Sequence, residues 1–376
     1  MRLLLRAGLV LGLAASAACK ESIAPKSLAN PQATAAQMAA LDTMFDVSVL
    51  NSLSALSPEI SPVAPARLAT LRALAAISNP LARSSLMRPY TQGLESARML
   101  RQLLPALTDA NAAALFPPAV VGKTFEWNAT TDVYEPTART GAPAAGVRFI
   151  LYAVDPLTSM PVEPVVEVGW INLDDESTAS VAKLHVSVVG SGGAPVYVDY
   201  RVSVEGATGS ARITSTGYIT NGASSPDSLR FNGVISATGN ASSVTITQDV
   251  TLDVNSRDFH VRLWEKIILT QTTLSLRLFF RFQHGAEVVT LEGSLEFDQL
   301  AGTATGTITA KVNGGKMATC TVAADANSYN LTCEGADADG LNADEQAALQ
   351  SIGDAVGKVQ EVFNGLFGPP LGILGA

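Results

Sequence analysis

Three histidines, three cysteines and 34 acidic side chains hold most of the chemical reach of this 376-residue chain. A hydrolytic zinc centre needs two histidines one helical turn apart, as in His-Glu-x-x-His, so that both reach one ion. His185, His260 and His284 do not stand that way. A serine nucleophile is commonly raised on a Gly-x-Ser-x-Gly elbow, and none occurs. Gly315-Lys316 and Gly357-Lys358 lack the first glycine of a phosphate-cradling loop. Gly190-Ser191-Gly192-Gly193 lies between two strand-like runs, not before a helix. His260, two residues from Asp258, reads as a surface residue rather than a general base. Asp174-Asp175-Glu176 reads as a solvated turn between strands. These patterns assign no catalytic residue, no metal ligand and no cofactor. The chain reads as non-enzymatic, with an active site assembled from scattered residues as an alternative.

The cysteines say more. With a hairpin turn centred between Ala326 and Asn327, Cys320 and Cys333 face one another across two strands, and a disulfide is expected there. Without nearby histidines the pair does not make a zinc site. Just beyond, Asp337, Asp339 and Gly340 carry part of a calcium-loop spacing. The first and twelfth ligand positions would then be Gly335 and Gln346, which do not suit the ion. Asn342 and Glu345 fit a capping box that opens a helix.

The elements that must position these groups are mostly strands. DFHVRLWEKIIL (258–269) and LSLRLFFRF (274–282) alternate apolar and polar residues at period two. A turn over Thr270–Thr273 sets Leu269 against Leu274, Ile267 against Leu276, Leu263 against Phe280 and Val261 against Phe282. One face of the pair is apolar, with Glu265 its only charge. The other carries His260, Arg262, Trp264, Lys266, Arg277, Phe279 and Arg281. Opposed like charges destabilise a sheet. Turns at His284-Gly285 and at Val254–Arg257 relieve them by bringing Glu292 opposite Arg277 and Asp249 opposite Arg262. The apolar face of the four strands holds roughly twenty large side chains, each stabilising by about 1.5–3 kcal/mol when buried. Something must cover it.

Helices at both ends are the expected cover. Met38, Leu41, Phe45, Val49, Leu53 and Leu56 form one stripe at helical spacing. Further helical stripes begin at Leu68 and Leu94. Six arginines and one acid between Pro65 and Arg101 read as a solvated helix face. Pro117-Pro118 marks a boundary, after which the helical period disappears for more than two hundred residues. Fourteen strands are expected over 123–334, joined by hairpins and therefore antiparallel. The stretch 135–145 is expected to be loop. The last helix carries Leu349, Ile352, Val356, Val359, Phe363 and Leu366 on one side. The fold class expected is α+β: a large antiparallel meander, strongly curved or half-barrel, covered by N-terminal helices and one C-terminal helix.

The N-terminus is an address. Arg2 and Arg6 precede a short apolar run, Leu3–Ala15, and then Ser16-Ala17-Ala18-Cys19. This segment resembles the lipobox of bacterial lipoproteins, with Ser16 where leucine is usual. The resemblance implies a signal peptide over 1–18, a lipidated Cys19 and a membrane anchor. Lys20 after the cysteine implies the outer membrane. Residues 19–32 read as the lipidated cysteine and a tether, 33–117 as helical, 118–334 as sheet, and 335–376 as the C-terminal helix and tail. No run is long enough for a transmembrane helix.

Net charge is −9, and from Ala119 onward 15 basic residues meet 28 acidic ones. That excludes nucleic acid as the expected partner. The function expected is that of a lipid-anchored envelope protein with a structural or binding role. Its partners are the membrane through Cys19 and either a hydrophobic ligand held between sheet and helices or another envelope protein. A transmembrane β-barrel is the alternative suggested by strands of about ten alternating residues.

Overall fold

Period-two alternation, punctuated by glycine and asparagine turns, builds one very wide sheet. The structure is a computed structural model. It describes residues 27–33, 36, 52 and 114–349, except 156, 159, 208, 223–227, 241, 255–257, 299, 326–328 and 337–339. The strands are β1 (Thr124–Asn128), β2 (Val133–Thr137), β3 (Gly146–Tyr152), β4 (Glu167–Asp175), β5 (Val181–Gly190), β6 (Val196–Ala207), β7 (Ser210–Thr220) and β8 (Ser228–Gly239). Then come β9 (Val244–Val254), β10 (Phe259–Leu269), β11 (Thr273–His284), β12 (Glu287–Asp298), β13 (Thr303–Val312), β14 (Gly315–Ala324) and β15 (Tyr329–Gly335).

All 15 strands form one sheet, ordered β15-β14-β13-β12-β11-β10-β9-β8-β7-β6-β5-β4-β3-β1-β2. From β3 onward each strand pairs with its neighbour in the chain, as the hairpin argument expects. The sheet is open, because β2 and β15 are its two ends. It is not purely antiparallel. β1 and β3 run parallel, with Thr124 facing Arg148 and Phe125 facing Phe149. The cause is β2, which the sequence reading places in a loop. Pro136 lies within β2, which is the sheet edge, where proline costs no ladder hydrogen bond. β2 folds back on β1, and the chain then passes to the other side of β1 to begin β3. Asp174 and Asp175, expected in a turn, lie within β4, paired with Gly146 and His185 and with Leu184.

The β10–β11 register is the one expected from the sequence, residue for residue. The flanking registers differ by two residues, so every side chain keeps its face. Asp249 sits opposite Trp264 and Glu292 opposite Phe279. The ion pairs follow from this shift. Asp249 reaches Arg262 diagonally, at 3.0 and 2.8 Å. Glu292 turns to Lys311 at 2.7 Å instead of Arg277.

One face of the sheet is the core. Phe149, Ile171, Val188, Val198, Ile219 and Phe282 are fully buried on it. At its N-terminal end Phe125 stacks on Phe149 at 4.8 Å, Tyr134 meets Phe149 edge-on, and the Tyr134 hydroxyl donates to the Ile150 carbonyl. Leu28, Leu115, Phe116 and Ala348, from segments outside the strands, belong to the same buried cluster. The tether expected over 19–32 therefore stops short of Leu28, which is buried. The Ala29 N–H donates to Glu287 at 2.7 Å. Helix is described at residues 31–33, 36 and 343–349. The capping box forms: the Asn342 N–H donates to Glu345 at 3.1 Å and the Glu345 N–H to Asn342 at 2.9 Å. Most of the helical region 33–117, and the chain beyond 349, lie outside the described residues. The described chain is thus mainly β.

Candidate functional site

The outer face of β10 and β11 carries a block of large side chains. Strand alternation puts Arg262, Trp264 and Lys266 on the outer side of β10, because Val261, Leu263 and Glu265 face the core. Register places Arg281, Phe279 and Arg277 directly opposite them. Beside this block an open groove of about 520 Å³ runs over the outer face of β7, β8 and β9. Arg212, Asn232, Thr247, Thr251, Arg262 and Trp264 line it. Asp249, also in the groove, binds Arg262 through both carboxylate oxygens. The groove is therefore mainly polar, with two arginines and one carboxylate, and an indole in its wall. No single motif in the sequence announces it. Arg212 and Asn232 lie 52 and 32 residues before Trp264, and only paired registers bring them together.

Away from the strand ends, Glu265 is the charged residue of the inner face among the described residues; Asp175 and Glu287, at strand ends on the same face, accept from the Leu115 and Ala29 N–H groups. Glu265 is 9% exposed and sits between Gln248 on β9 and Leu278 on β11. Burial away from water pushes its carboxyl up to about 7. Its row continues through Ile235 on one side and through Gly293 and Ile308 to Cys320 and Cys333 on the other. Glu265 and Gln248 thus make a polar break in an apolar surface.

The expected disulfide is present. Cys320 and Cys333 face one another in register between β14 and β15 and are bonded. Cys19 lies outside the described residues, as do Asp337 and Asp339 of the incomplete calcium spacing. His260 stands at one end of β10 between two carboxylates, Nδ1 toward Asp253 and Nε2 toward Asp258 at 3.3 Å. The hydrogen bond to Asp253 raises its pKa, despite some desolvation. His185 lies far along the sheet in a separate surface network with Asp199, Glu176 and Arg201. The histidines are not brought together. Among the described residues no group of three His, Cys, Asp or Glu side chains is disposed to hold a metal ion.

Comparison with protein-family models, with curated proteins and with solved structures finds no match for this chain.

Proposed function

We propose that this protein is an exported lipoprotein, anchored through Cys19 in a bacterial outer membrane, whose sheet works by binding rather than by catalysis. The observation that carries the reading is the Cys320–Cys333 bond. Disulfides persist in oxidising compartments and are rare in the cytosol. The lipobox-like Ser16-Ala17-Ala18-Cys19 supplies the route to such a compartment. Two or more acyl chains at the cysteine give stable anchoring where one does not. A sheet with one face buried and one face solvated suits a body held beside a membrane, and a closed barrel is disfavoured because β2 and β15 do not pair. Metabolic labelling with radioactive palmitate is the test. The full chain is expected to take up label and sediment with outer membrane, while Cys19→Ala loses the label and leaves the membrane fraction. Equal labelling of both, or a cytoplasmic protein with free thiols, defeats the proposal.

A second reading concerns the inner face. The break at Gln248 and Glu265 favours an acyl ligand held there, because a ligand headgroup would find a polar partner within an apolar surface. Native mass spectrometry of the purified protein decides this reading. An added mass of lipid size supports it, and a bare polypeptide mass removes it.

A further inference from the structure

The outer block on β10 and β11 has a charge problem that the sheet itself leaves unsolved. Arg262 faces Arg281, and Lys266 faces Arg277, on either side of the Trp264–Phe279 pair. Directly opposed residues have Cα atoms about 4.5–5.5 Å apart, and like charges so placed repel. Asp249 neutralises Arg262. The other three cations have no such partner among the described residues. Lys266 meets Thr247 on the β9 side, and Arg277 and Arg281 meet Ser294 and Thr290 on the β12 side. Glu292, the carboxylate opposite Phe279, is taken by Lys311, and Glu296 makes no ion pair with the block. Arg281 donates only to the neutral Gln283, at 2.6 Å. This concentration of positive charge stands on a domain that is otherwise strongly acidic.

We infer that the outer face of β7–β11 is a binding surface for an acidic polysaccharide, a polymer containing uronic acids. The inference goes beyond the anchoring proposed above and does not depend on it. Three features select this ligand. Trp264 and Phe279 are half-buried and adjacent, and offer flat apolar platforms to the C–H faces of sugar rings. The two cation pairs flank those platforms, about 14 Å apart along the strands, so they suit charges spaced by whole sugars. An arginine fork matches a carboxylate in two hydrogen bonds. The groove alongside presents Asn232, Thr247 and Thr251, side chains that suit sugar hydroxyls. A duplex nucleic acid carries one charge per about 1.7 Å of axis, far denser than this spacing, and would also meet Asp249 and Asp253.

The test uses the full chain solubilised in detergent, with polygalacturonate and neutral dextran as probes in isothermal titration calorimetry and tryptophan fluorescence. Polygalacturonate is expected to bind, to weaken as salt rises, and to perturb Trp264. Dextran is expected not to bind. Trp264→Ala should weaken binding at least tenfold. The double variant Lys266→Gln/Arg277→Gln, which alters only partly or fully solvated side chains and relieves their mutual repulsion, should do the same with a melting temperature no lower than that of the parent. Absence of polygalacturonate binding overturns the inference, and so does binding that the folded double variant retains in full. Tighter binding of poly-dT or of phosphatidylglycerol vesicles than of polygalacturonate, lost in the same variants, also overturns it and reassigns the face to that partner. Palmitate labelling of Cys19 is indifferent to all these outcomes, so the two proposals fail separately.

Discussion

Glu265 makes stability depend on pH in an unusual direction. Its folded pKa, about 7, lies above the ordinary 4.5, so the folded state holds the proton more tightly than the unfolded chain. Below about 4.5 both states are protonated and burial carries no ionic penalty. As pH rises through the window from 4.5 to 7 the unfolded state gains, and above 7 the full penalty of about 3 kcal/mol stands. His260 acts the same way. Its pKa is raised by Asp253, so its contribution is full below its unfolded value and is lost as pH rises through the folded value. It is 38% exposed, and solvent screening keeps its share small. Stability should therefore fall between pH 5 and pH 8. Glu265→Leu should raise the urea midpoint at pH 8 by about 2–3 kcal/mol equivalent and change it little at pH 5. A variant equally stabilised at both pH values would show that Glu265 is not the titrating group. That Glu265 is the one charge on an apolar face is readable from alternation alone. How deeply it is buried is not, because burial depends on what lies over the strand.

At the scale of strands and hairpins, turn and alternation together make the faces legible, and the register too at β10–β11. The β10–β11 register follows from Thr270–Thr273, whose hydroxyls and backbone tie the turn, with the Thr270 N–H donating to the Thr273 carbonyl at 2.8 Å. The β13–β14 hairpin follows from Asn313-Gly314, which adopt the positive φ of 47° and 80° that this turn requires. Two-residue slips beside β10 escaped notice because they leave the faces intact. β2 is hard to read because it is only five residues long and runs into an irregular stretch, 135–145, with too little alternation to mark a strand. The outer groove escaped for a related reason: its residues come from four strands, and no local spacing joins them. Gly217 was equally silent. A Cβ there would lie 2.4 Å from that of Tyr200, so the glycine leaves the space in which Tyr200 and Phe231 approach to 6.0 Å. The Cys320–Cys333 pairing was legible because thirteen residues and one turn determine it. Closing that loop should contribute about 3 kcal/mol. Reduction, or Cys333→Ser, should lower stability by that amount, read as a lower urea midpoint with an unchanged β signature by circular dichroism. No change on reduction would mean that β15 adds nothing to the cooperative unit.

At the scale of the molecule, what alternation reveals is the sheet and what it conceals is the sheet's company. Leu28 reads as tether because its neighbours include proline, serine and asparagine, yet it is buried in the core cluster. A single leucine in a polar stretch gives no period, so only the partner surface reveals it. The wide apolar face, by contrast, announces its need for a cover from strand patterning alone, and Leu115, Phe116 and Ala348 are parts of that cover. The parallel pair β1–β3 lay beyond reach, since it depends on the return path after a strand that was itself unseen.

From β3 to β15 the order of strands in space repeats their order in the chain. A polypeptide threaded across a membrane from its N-terminus would find each new strand's partner already delivered, so assembly could keep pace with transport and wait for no distant segment. The last strand to arrive brings Cys333 to Cys320. On such a route the covalent bond that closes this edge would form only after the other strands had come through.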